Sequence, residues 1–88
     1  MDEATVRGVI ARDPGLASEI PADAVISDVH AIDLEDAVRL STEYPGSFKR
    51  HKGQSLHAAT ISYQDPATGY WRHRVMILGK NGRVLLFT

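Results

Sequence analysis

No cysteine occurs among the 88 residues, which removes disulfides, cysteine-built zinc sites, iron–sulfur clusters and thiol catalysis, and leaves stability to packing alone. Long apolar runs are missing too. The longest are residues 75–78 and 84–87, far short of the roughly 20 residues a membrane-spanning helix needs, so no membrane association is expected. Residues 1–3, Met-Asp-Glu, are acidic where a secretory leader is basic, and the expected compartment is the cytosol. There is no internal repeat and no low-complexity tract. Nothing resembles a glycine-rich phosphate loop, since Gly79 and Gly82 flank a hairpin turn and do not open a helix. His51 and His57 are separated by a loop, and His73 falls near Ile61 on the neighbouring strand, so three ligands do not converge and no metal or cofactor is expected. An RNA-cleaving set of His57, His73, Arg72 and Arg74 can be written down. The simpler assignment places the histidines at the core margin and the arginines in solvent, so no catalytic residue is expected.

A chain this short forms one domain, residues 1–88, burying about 60 to 65% of the surface its unfolded form exposes. Its net charge of −1 hides a strong asymmetry. Residues 1–44 hold ten carboxylates against three arginines, a formal −7, whereas residues 45–88 hold seven cations against Asp65 alone, a formal +6. Such a split suits an anionic partner for one half and a basic partner for the other, or attraction between the halves within one fold.

Local signals give an α+β fold: an N-terminal helical segment and one central helix packed on an antiparallel sheet of about four strands, ending in a three-stranded meander. Asp2 can cap a helix whose Val6, Val9 and Ile10 share a face. Asp13 and Pro14 then stop it and start a second short turn, which Pro21 ends. Residues 24–32, rich in β-branched side chains, predict a strand. Asp33 opens a helix to Tyr44 with Leu34, Ala37, Val38 and Ser41 on one face, and Pro45-Gly46 closes it. Residues 47–54 read as an exposed connection crowded with Lys49, Arg50, His51 and Lys52.

The last third is the meander. The sequence from Asp65 to Gly69 predicts a turn between strands near 55–64 and 70–79, and Asn81-Gly82 predicts a type I′ turn before a final strand. With Gln64 opposite Tyr70, one face gathers His57, Ala59, Ile61, Tyr63, Trp71, His73, Val75 and Ile77 as the core side, with Trp71 pointing inward. The other face carries Arg72 and Arg74 at its polar end and Met76, Leu78, Leu85 and Phe87 at its apolar end. Two short helices cover one face well, and part of this second face is then available to a partner.

These features fit a small non-enzymatic binding protein, a stoichiometric inhibitor or adaptor on a protein or protein–nucleic acid partner. Lys49, Arg50, Lys52, Arg72 and Arg74 would supply basic contacts, and Met76, Leu78, Leu85 and Phe87 an apolar anchor. The alternative is a nucleic-acid-binding module that sets the same cations on phosphates, with a small ribonuclease third. A homodimer is also allowed.

The order of strand (residues 25–32), helix opened by Asp33-Leu34-Glu35-Asp36-Ala37, and hairpins with a turn such as Lys80-Asn81-Gly82 resembles in layout some small phage-encoded anti-CRISPR proteins. It covers residues 24–88, about three quarters of the chain, and the helical segment at residues 2–20 departs from it. The resemblance implies an inhibitor that blocks a nucleic-acid-handling complex.

Overall fold

The computed structural model describes residues 1–40 and 55–88. Helix α1 (Glu3–Arg12) is capped by Asp2, whose carboxylate accepts the Thr5 N–H at 2.9 Å, and it buries Val6, Val9 and Ile10. Helix α2 (Pro14–Glu19) begins on Asp13, which accepts the N–H groups of Gly15 and Leu16, with Pro14 in the first turn where no N–H is needed. Strand β1 (Val25–Ile32) leads to α3 (Leu34–Leu40), where Asp33 accepts the Asp36 N–H at 2.8 Å. Residues 41–44 of the expected helix and the connection at 47–54 lie outside the described residues. Strands β2 (Leu56–Gln64), β3 (Trp71–Leu78) and β4 (Val84–Phe87) complete an antiparallel sheet in the order β1-β2-β3-β4.

The expected register of the β2–β3 hairpin is one residue out. Gln64 lies opposite Trp71, not Tyr70, and the offset holds through all eight pairs to His57 opposite Leu78. The turn explains it. The Asp65 carbonyl accepts the Gly69 N–H at 2.7 Å and its N–H donates to the Tyr70 carbonyl at 2.8 Å, so Asp65 pairs with Tyr70 around a four-residue loop closed by Gly69 at φ 77. Because side chains alternate with period two, a slip of one residue exchanges the faces of β3 relative to β2. Met76 and Leu78, not Trp71 and His73, therefore join Ala59, Ile61 and Tyr63 in the main core, beneath Val6, Val9, Ile10 and Ile20 of the N-terminal helical segment.

The opposite face has its own cover. There α3 sets Ala37 against Leu56 and Ile77, with Leu34, Val75, Leu85 and Leu86 around them. The sheet thus lies between α1 and α2 on one side and α3 on the other. Asn81 and Gly82 take the expected left-handed φ, 63 and 73, but the hairpin closes through the Gly79 N–H to the Arg83 carbonyl at 2.7 Å around a three-residue 3-10 turn, Lys80–Gly82, not through the expected pair of Lys80 and Arg83. Met76 pairs with Phe87 as expected. Leu78, however, pairs with Val84 rather than Leu85, because a bulge inserts Leu85 as an extra residue.

Candidate functional site

The bulge and the register together redistribute the expected contact residues. Met76 and Leu78 are fully buried, so neither forms a docking face. Phe87 is half-buried against the same core, and the bulge turns Leu85 to the other side, beside Leu86 in the α3 cluster. The four apolar positions expected to form one anchor are split between two faces, and both sets are in use within the fold.

Of the expected basic contacts, Arg74 is committed internally. Its side chain, 19% exposed, pairs with Glu19 at the end of α2, reaches the Tyr63 hydroxyl at 3.2 Å and lies 3.8 Å over the Phe87 ring. Burial works against the charged guanidinium, but the bonds to Tyr63 and Glu19 outweigh it and the pKa is raised. This pair joins the basic half of the chain to the acidic half. Arg72 sits further out and gives its Nε–H to Asp65 Oδ2 at 2.8 Å. Asp65 also accepts the Ala67 N–H; that bond first, and the Arg72 guanidinium after it, hold its carboxyl below the usual range although burial pulls the other way. Lys49, Arg50 and Lys52 lie outside the described residues.

A different surface is left open. Only one end of the outer face is covered by α3; the other carries rows of side chains set across the strands, Val25–Ser62–His73 and Ser27–Thr60–Val75, with Trp71 opposite Gln64 beyond them. Trp71 is 60% exposed and Val25 53%, and Tyr70 at the adjoining turn is 76% exposed. None of these row positions is Lys, Arg, Asp or Glu. Asp28, at φ 52 in a β1 bulge, borders the patch beside His30, Ala58 and Thr60. Ser62 Oγ meets His73 Nδ1 at 2.9 Å across the two strands.

Sequence reasoning placed Trp71 in the core and so missed this patch. The usable signal was the turn: a four-residue loop with its last residue at left-handed φ selects the observed register, and the alternation then turns Trp71 outward. Elsewhere, an apolar cleft of about 320 Å³ between α1, α2 and β1 is lined by Ile10, Ala17, Ile20 and Ala24. Arg7 at its rim is bonded through all three guanidinium nitrogens to Glu3 and to the carbonyls of Ala22 and Ala24. That arrangement clasps α1 to the chain before β1 and leaves the cleft without a polar anchor for a ligand. Among the described residues, no three His, Asp or Glu side chains gather as metal ligands would. No helix among them is long and apolar enough to cross a membrane. Comparison with protein-family models, with curated proteins and with solved structures finds no match.

Proposed function

We propose that the chain is a small non-enzymatic binding protein, an inhibitor or adaptor acting in the cytosol, which docks on a macromolecular partner through the open sheet face. The observation that carries this reading is the sole tryptophan, 60% exposed on a regular strand and flanked by uncharged side chains. Leaving an indole in water forgoes a large apolar burial, and tryptophan is the residue most enriched where binding energy concentrates. Interface centres are depleted of charge and enriched in aromatics, as this patch is. A protein contact suits it better than a phosphate backbone, because Arg74 is held by Glu19 on the opposite face and the patch itself supplies no cation. The layout resemblance to anti-CRISPR inhibitors points to a nucleic-acid-handling complex as the partner.

The test is affinity for that partner. Trp71→Ala weakens it by at least about 30-fold, the loss expected of a central anchor, while replacing His57 and His73 together by alanine costs less than about 10-fold. A histidine nuclease reverses the order, losing about 100-fold with the histidines in a folded protein, and that result would end the non-enzymatic reading. A nucleic-acid contact is the second reading, favoured by the exposure of Trp71 and Tyr70, which can stack on bases. It requires log affinity to fall linearly with log salt, by about 0.9 per duplex phosphate neutralised. A protein partner gives the gentler dependence of screening.

A further inference from the structure

Where a cleft opens onto a core, the groups that line it decide what it can hold. The cleft of about 320 Å³ between α1, α2 and β1 has the main core for its floor, since Ile10, Ile20, Ala24 and Ile26 line it and are buried. α2 forms one wall with Ala17, and none of the six residues of that helix is fully buried. Protein interiors are packed to the density of organic crystals and leave few voids. A mostly apolar space of this size falls at the lower end of small-molecule sites, about 300–1,000 Å³.

The polar groups around the cleft are spent on one another. The Ile10 carbonyl accepts the Asp13 N–H at 3.2 Å, the Ala17 N–H donates to the Asp13 carbonyl at 2.8 Å, and the Ile20 N–H donates to the Leu16 carbonyl at 2.8 Å. On the other side the Ala24 N–H donates to the Pro21 carbonyl at 3.1 Å. The carbonyls of Ala22 and Ala24 accept from the terminal nitrogens of Arg7, and Glu3 takes the rest of that guanidinium. An ordered water needs about two to four polar partners, which this lining does not offer. An ion seated inside would be desolvated with no partner, at a cost that excludes it. A hydrocarbon needs no partner and gains from every methylene it takes out of water.

We infer that this cleft is a binding site for a small uncharged aliphatic molecule. An apolar cavity of about 150 Å³ holds benzene, so a space about twice as large suits a chain of about eight to ten carbons. The site goes beyond the docking proposal and is separate from it: Ile26 and the cleft floor belong to the core beneath α1 and α2, whereas Trp71 lies on the outer face of the sheet.

The experiment is a titration of the full chain with octan-1-ol, read by the methyl resonances of the isoleucines. The signals of Ile10, Ile20 and Ile26 shift and saturate together, while Trp71 emission stays unchanged. Across butan-1-ol, hexan-1-ol and octan-1-ol the affinity rises by about 4-fold for each methylene the cleft covers. Octane-1,8-diol binds at least about 10-fold more weakly than octan-1-ol, because its second hydroxyl is buried without a partner. Ala17→Leu, at an exposed position on the α2 wall, fills the space with the protein's own side chain. It lowers octan-1-ol affinity by at least about 10-fold without lowering the melting temperature. Ala11→Leu, from the α1 wall, repeats the test if the first variant fails to fold. No shift at the three isoleucines up to the solubility limit of octan-1-ol, equal affinity for the diol, or unchanged affinity in a folded filling variant overturns the site. A blue shift of Trp71 with the isoleucines unmoved also overturns it, by placing the alcohol on the outer face. None of these outcomes touches the docking proposal, which depends on Trp71→Ala with the native partner.

Discussion

Replacing Gly82 by alanine tests how α1 is seated on the last hairpin. Gly82 has φ 73, and a Cβ built on it falls 2.9 Å from Val9 Cγ2, closer than side-chain carbons approach. Two costs therefore add. Holding alanine in the left-handed region costs about 1–2 kcal/mol, and forcing a methyl group into a packed contact costs about 1–3 kcal/mol. A total of about 2–5 kcal/mol is a large fraction of the stability of a domain this size. At about 4–8 °C per kcal/mol it lowers the melting temperature by about 8–40 °C, read by far-ultraviolet circular dichroism. Gly69 supplies the control. Its φ is 77, but no atom lies within 4 Å of the place an alanine methyl group would occupy, so Gly69→Ala carries the backbone cost alone, about 1–2 kcal/mol. Val9→Ala in the Gly82→Ala background should cost less than it does alone, by about 1 kcal/mol, because it relieves the collision. Equal losses at the two glycines, or strict additivity with Val9→Ala, would refute the contact between α1 and the hairpin.

Other expectations follow from the core and its charges. Arg74→Ala loses the bonds to Glu19 and Tyr63 and the contact with Phe87, so it should destabilise the fold by about 2 kcal/mol; an unchanged melt would show that these contacts contribute nothing. Ser62→Cys with His73→Cys should close a disulfide on oxidation, since these residues are directly opposite at a pair that exchanges no backbone bonds, whereas Ser62→Cys with Arg72→Cys should stay reduced. Thiol titration reads the result without interference, as the chain has no other cysteine, and the reverse pattern restores the register with Gln64 opposite Tyr70. Asp2 and Asp65 have pKa values lowered by the N–H groups of Thr5 and Ala67. Depressed folded-state values mean their stabilisation is present above the ordinary carboxylate pKa of about 4 and is lost as pH falls through the folded values. The gap in melting temperature between wild type and an Asp2→Asn, Asp65→Asn variant should therefore be constant from pH 7 to about 5 and narrow below about 4; a gap that widens on acidification contradicts the assignment.

Much of the fold was legible because its signals are local. Asp2, Asp13 with Pro14, and Asp33 each mark a helix start through a side-chain bond within three residues, and α1, α2 and α3 begin there. Asn81-Gly82 marked the two left-handed residues of the last turn for the same reason, though the loop around them is three residues long and not two. Register is not local. Hydrophobicity favours placing Trp71 and His73 inside and Arg72 and Arg74 outside, whereas the folded chain turns Trp71 and His73 outward and Arg74 inward, where Glu19 and Tyr63, distant in sequence, satisfy it, and Arg72 on the same face stays exposed. That one inversion carried the candidate site with it: Met76 and Leu78 moved into the core, and an indole moved onto the surface. The bulge at Leu85 was equally hidden, since either pairing of residues 83–87 leaves a plausible alternation of apolar side chains.

The fluorescence of Trp71, the sole tryptophan, tests the central claim most directly, because it can be read free and then with the protein that co-purifies with the chain. An indole 60% exposed on an open face should emit like tryptophan in water and be quenched freely by acrylamide, then shift to the blue and become protected as the partner saturates it. Emission already blue and protected in the free protein would place Trp71 in the core. Emission unchanged at saturation would place the partner elsewhere, and either result contradicts docking through this face.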